Sequence, residues 1–167
     1  SFAYPLADTA ASIFTSFWKQ PADLQGALYG LLPRVEHLPP AAKTPAEILA
    51  AVAAELQALK SRWKALAPQL IEQMNDAFDK KVFKGNCVRS NWWAGWLRDL
   101  ESWSNNPQLL APALSDSGWN RLTPSGMAEA VKGSSDIADH EAWRLVPDIA
   151  VLAEKVNRCR TAILTHA

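Results

Sequence analysis

Cysteine is scarce in this sequence: Cys87 and Cys159 are the only two in 167 residues. They cannot make a disulfide framework or a zinc-ligand spacing, and a reduced compartment suits them. Long apolar runs are missing as well. Lys, Glu, Gln or Pro breaks each one well short of the ~20 residues a membrane span requires, and no signal-peptide pattern opens the chain. A cytoplasmic protein with no membrane partner is expected. Net charge is also lacking, because 17 basic residues face 17 acidic ones, so no overall basic field argues for nucleic acid. Strand signals are almost absent, with no alternating run of β-branched and aromatic residues between turn residues. Nor is there a repeat of the length that builds solenoids.

The motifs of catalysis are missing too. No glycine-rich loop ends in Gly-Lys-Ser/Thr to cradle phosphates, so ATP is not expected to bind this chain alone. Asp and Glu are scattered singly on polar faces; Asp99 and Glu101, two apart, point away from each other on a helix, so no carboxylate cluster for a metal nuclease is expected. His37, His140 and His166 lie far apart without an HExxH spacing, and a solvated or capping role is expected of them. No serine sits in a Gly-x-Ser-x-Gly elbow. The expectation is a chain without catalytic residues, metal ligands or cofactor of its own.

What is present is a globular composition, 49% hydrophobic and 20% charged, at a length that fits one domain, residues 1–167. The periods are helical. Residues 10–18 and 21–32 read as short helices, and the Pro-rich stretch 32–43 as a connector. Thr44, Pro45 and Glu47 form a capped start: a hydroxyl cap, proline at the first helical position, and a glutamate that reaches back to the cap amide. From there Ile48, Leu49, Val52, Leu56, Leu59, Trp63 and Leu66 make one apolar stripe, with Glu55, Lys60, Arg62 and Lys64 expected mostly off it. Pro68 is expected to end or kink this helix, with a second stripe at Leu70, Ile71, Met74 and Phe78.

Residues 80–89 hold Gly85 and Asn86 and read as a loop. Ser90 is expected to cap a helix faced by Trp92, Trp93, Trp96, Leu97, Leu100 and Trp103. Residues 105–133 read as short helical turns anchored by Trp119, Leu122 and Met127. A last helix begins near Asp139 or His140, with Pro147 in or near its first two turns. The fold class expected is therefore all-α, irregular, with one long central helix and a long C-terminal helix, and the chain is expected to be a monomer.

Eight tryptophans could stack on bases if exposed. Trp63, Trp96, Trp103 and Trp143 fall on apolar stripes, however, where a large ring supplies core area. Trp92 and Trp93 are adjacent and cannot both face inward, so one of them is expected to be partly exposed. The charge is also uneven. Lys80, Lys81, Lys84, Arg89 and Arg98 occur without an acid between residues 80 and 98, a local +5 between flanks of −2 and −3. Lys80, Lys81, Lys84 and Arg89, with the small donors Asn86, Ser90 and Asn91 beside a helix start, are the mix that grips phosphates without reading bases. The competing reading is a solvated loop.

The order of landmarks carries a resemblance: Tyr4, Pro5 and Leu6; Phe17 and Trp18; Leu59 to Lys64 around Trp63; Phe83, Lys84, Gly85 and Asn86 leading through Asn91, Trp92 and Trp93 to Trp96, Leu97 and Trp103; Arg121, Leu122 and Thr123; and His140 to Trp143. Over nearly its whole length the chain resembles the RecB family, the beta subunit of bacterial exodeoxyribonuclease V, in the helical subdomain called 1B of its first motor domain. It carries fewer basic residues than that pattern before Trp93 and between 121 and 133. The resemblance implies a piece of a longer bacterial polypeptide, in line with a start at Ser1 and an end at Ala167 inside a helical pattern. It also implies a parent machine of beta, gamma and alpha subunits that unwinds and degrades duplex DNA ends with ATP and Mg²⁺. The role implied for this domain is to hold and guide duplex DNA near the unwinding point, through Lys80, Lys81, Lys84, Asn86, Arg89 and Asn91. The alternative is a helical protein–protein docking module without direct DNA contact.

Overall fold

The computed structural model describes residues 8–29, 44–133 and 135–166, and every extended element among them is a helix. In chain order these are α1 (Asp8–Phe17), α2 (Pro21–Tyr29), α3 (Pro45–Asp79), α4 (Ser90–Asn105), α5 (Asp116–Arg121), α6 (Pro124–Ala130) and α7 (Ala142–His166), with a 3₁₀ turn at Asp136–Asp139 before α7. One isolated antiparallel bridge, Phe83 with Val131, is the extended pairing found among these residues. The all-α expectation holds, as do the long central and C-terminal helices. No described helix is long and apolar enough to cross a membrane. The expected connector 32–43, His37, and the Tyr4, Pro5 and Leu6 start lie outside the described residues.

The start of α3 follows its sequence signature. The Thr44 amide donates to the Glu47 carboxylate at 2.7 Å, and the Glu47 amide donates to the Thr44 hydroxyl at 3.3 Å, so two amides of the helix entrance are satisfied reciprocally. Pro68, however, lies inside α3 and does not end it. A proline there removes the hydrogen bond to the carbonyl of Lys64, but Lys64 and Pro68 are both exposed, so water can reach that carbonyl. Meanwhile Trp63, Ala67, Leu70, Met74 and Ala77 are buried at spacings of three and four on both sides of the proline. That stripe keeps the helical register through residue 68.

Lys60 is a second correction, because it is buried with only 2% of its surface exposed. It follows Leu56 by four and precedes Trp63 by three, which puts it on the stripe. At its far end α3 closes with the Val82 amide donating to Ala77 O at 2.9 Å and the Lys81 amide to Phe78 O at 3.0 Å. Lys81 takes the left-handed turn this closure needs, at φ 55°, a position that glycine usually fills.

The chain forms two compact units, one comprising Ser1–Gln57 with Leu152–Ala167 and the other Ala58–Val151. In the first, the buried apolar residues include Ile13, Trp18, Leu49, Val52, Leu56, Leu152 and Val156. The Trp18 ring lies 5.1 Å from Phe14 and 5.4 Å from Phe17, and Lys155 pairs with Glu55. Cys159 is buried there, and burial pushes its thiol up, against the opposing pull of Lys155.

The second unit is built around tryptophans. Trp63, Trp93, Trp96, Trp103 and Trp143 are all buried, and each of three indole N–H groups finds a partner: Trp96 on Ser115 Oγ at 3.3 Å, Trp103 on Leu110 O at 3.2 Å and Trp143 on Ile137 O at 2.6 Å. Leu122 and Met127 are buried as expected, while Trp119 is only half-buried. Ser115 and Thr123 cap α5 and α6. These two short helices approach so closely that a Cβ on Gly126 would lie 2.1 Å from Asn120 O, so only glycine fits there. His140 starts α7: its Nδ1 accepts the Ala142 amide at 3.1 Å, the capping role expected of it. Pro147 lies inside α7, which runs on past it.

Candidate functional site

All six residues expected to grip phosphate lie in the second unit, around the segment that joins α3 to α4. Two backbone bonds fix this segment against the end of α6 and the residues that follow it: the Lys84 amide donates to Ala130 O and the Lys132 amide to Val82 O, both at 2.8 Å. The chain then closes a tight turn in which Lys84 O accepts the amides of Cys87 and Val88, at 2.9 and 3.3 Å. Phe83 and Val88 are buried beneath it, and the Phe83 ring lies 5.0 Å from Phe78. Apolar anchors therefore hold the segment down while Lys80, Lys81, Lys84, Asn86, Arg89 and Asn91 stay exposed.

These residues do not share one environment. Lys80 and Lys81 follow the C-terminus of α3, where the helix dipole favours positive charge. Lys80 is further drawn to an acid, pairing with Asp76 at 2.7 Å, and it lines a shallow cleft shared with Asp76 and Asp136. The acid-free run in the sequence is thus partly neutralised in space. Lys84 Nζ donates to Glu129 O at 2.7 Å, which ties its head to the end of α6. Asn86 accepts a weak bond from Cys87 Sγ at 3.5 Å. The remaining cation of the acid-free run, Arg98, is exposed further along α4.

Arg89 is the exception to these structural explanations. It occupies the cap position of α4, where the expected cap was Ser90; Ser90 is instead the first helical residue. The Arg89 side chain makes no capping hydrogen bond, and the first turn of α4 holds no acid. A cation at the positive end of a helix dipole is unfavourable unless an anion sits beside it. The guanidinium is nevertheless held in place. Its Nε donates to Gly85 O at 2.7 Å, and it lies 4.7 Å from the centre of the Trp92 ring. Trp92 is the half-exposed member of the Trp92–Trp93 pair and Trp93 the buried one, as the adjacency required.

One cation escaped the sequence reading. Lys132 is exposed, and its Nζ donates to Lys81 O at 3.1 Å across 51 residues of sequence. The Phe83–Val131 bridge brings it to the site, and that pairing, far apart in sequence, leaves no local pattern. The arrangement offers Lys81, Lys84, Arg89 and Lys132, the amide side chains of Asn86 and Asn91, and the uncapped amides of the α4 start. Its chemistry is that of anion binding without base reading. Among the described residues no group of three or more His, Cys, Asp or Glu side chains is placed to hold a metal ion. No protein-family model and no curated protein matches this chain.

Proposed function

We propose that this chain is an accessory DNA-guiding domain of an ATP-dependent helicase and exodeoxyribonuclease of the RecB kind, acting on double-strand DNA ends in recombinational repair. One observation carries the proposal: the α4 start holds a cation where its dipole disfavours one, with Arg89 at the cap and no acid in the first turn. A backbone phosphate beside Arg89 relieves that repulsion and takes up the free amides. The order of landmarks from Phe83 to Trp103 supports the same reading. In this reading ATP, Mg²⁺ and the catalytic residues belong to a parent chain, and the gamma and alpha subunits are its partners in a bacterial cytoplasm.

The test replaces Lys81, Lys84, Arg89 and Lys132 together by Ala and measures binding to a blunt DNA duplex at several salt concentrations. The expected result is a weaker complex whose salt dependence is shallower by roughly 0.9 for each phosphate contact removed. Unchanged affinity and slope would replace this reading with the protein-docking module. The pairing of Lys80 with Asp76 favours that outcome to the extent that it discharges the surface.

A further inference from the structure

Within the phosphate grip proposed above, and resting on it, we infer that Arg89 engages a DNA phosphate through both of its Nη groups and that Trp92 is the residue that positions it for this. A guanidinium is a planar fork matched to two phosphate oxygens, and its advantage over an ammonium depends on being held in one orientation before the phosphate arrives. Arg89 is held in this way. Its Nε is fixed on Gly85 O at 2.7 Å and its Cζ lies over the Trp92 ring, 4.7 Å from the centroid, while its Nη groups have no hydrogen-bond partner among the described residues. The lysines of the site differ: Lys84 and Lys132 already direct their ammonium groups at the carbonyls of Glu129 and Lys81.

The platform under Arg89 is itself anchored in the core. Trp92 lies 6.4 Å from Trp96 with the rings tilted by 48°. Trp96 is buried and hydrogen-bonded to Ser115. A chain of contacts thus runs from the core through Trp96 and Trp92 to the guanidinium, which stands at the cap of a 16-residue helix whose first turn carries no acid. The Asn91 side chain, one position into that helix and exposed, is a further donor beside the same phosphate.

The test uses the whole chain and a fluorescein-labelled blunt DNA duplex, with binding followed by anisotropy at several salt concentrations. Arg89→Lys keeps the charge, so its salt slope should match the unsubstituted chain. Its affinity should nevertheless fall about tenfold, the loss of one charge-assisted hydrogen bond. Trp92→Leu should lose about threefold with the slope again unchanged, and Trp92→Phe, which restores an aromatic face, should recover most of that. The inference is overturned if Arg89→Lys binds as tightly as the unsubstituted chain while Lys81→Ala and Lys132→Ala weaken binding, since the grip would then be diffuse. It is overturned equally if Phe fails to rescue position 92. Absence of salt-dependent binding by the unsubstituted chain would instead remove the proposed function, and this inference with it.

Discussion

The ammonium of Lys60 lies 5.7 Å from the centre of the Trp103 ring and donates to Asn106 O at 2.7 Å. Burial, aided by repulsion from Lys64, lowers its pKa from 10.5 to about 8. The unfolded chain therefore holds this proton more tightly between those two values, so stability should rise as pH climbs through the window and be flat below it. Chemical denaturation at pH 7 and pH 10 should show a gain on the order of 2 kcal/mol from this group, absent in Lys60→Met. Equal gains in both proteins would show that the buried lysine is not the cause.

His140 gives the opposite end of the pH range. Burial lowers its pKa, against the opposing effect of Glu141, and its neutral Nδ1 accepts the Ala142 amide. A folded pKa below the unfolded one means that stability is complete above the ordinary histidine range and declines as pH falls through it. His140→Asn keeps a capping acceptor that does not titrate. Urea melts from pH 7.5 down to 5.5 should therefore diverge between the two proteins, and parallel curves would contradict the capping role.

Trp103 and Trp92 lie on the same helix with different duties. Trp103 is fully buried and Trp92 half-exposed. Trp103→Ala should cost about 3 to 5 kcal/mol, whereas Trp92→Ala should cost about 1 kcal/mol or less, as at a partly exposed site. Similar losses at both positions in equilibrium unfolding would show that α4 is packed differently.

Much of this was legible from the residues themselves. Thr44, Pro45 and Glu47 specify a helix start by local hydrogen bonding alone, and the stripe through Trp63 specifies which side is buried. Continuation of the helix past Pro68 and burial of Lys60 share a physical reason: position outweighs residue type, since the period places Lys60 inward and carries the buried stripe past the proline. The site was legible only in part. Lys80 to Arg98 contains no acid, yet Asp76 lies four residues before Lys80, an i,i+4 spacing on a helix that pairs the two, whereas Lys132 reaches Lys81 across 51 residues and that approach is not encoded locally. Arg89 at the cap, in place of Ser90, depends on the turn that Lys84 O closes.

Lys81 allows fold and binding to be separated. Its φ of 55° is strained for any residue with a Cβ, so Lys81→Gly should stabilise the chain by about 0.5 to 1 kcal/mol. The same change should make the salt slope of DNA binding shallower by about 0.9 if Lys81 contacts a phosphate. A more stable protein with an unaltered slope would confine Lys81 to the helix terminus.

The central claim is that Lys81, Lys84, Arg89 and Lys132 grip DNA phosphates, and its most direct measurement is the binding of the unsubstituted chain to a blunt DNA duplex as a function of salt. Four phosphate contacts predict a slope of log affinity against log salt of at most about −3.6, with a dissociation constant near 10⁻⁴ to 10⁻⁶ M or weaker. No binding at low salt, or binding that does not change with salt, would contradict the claim.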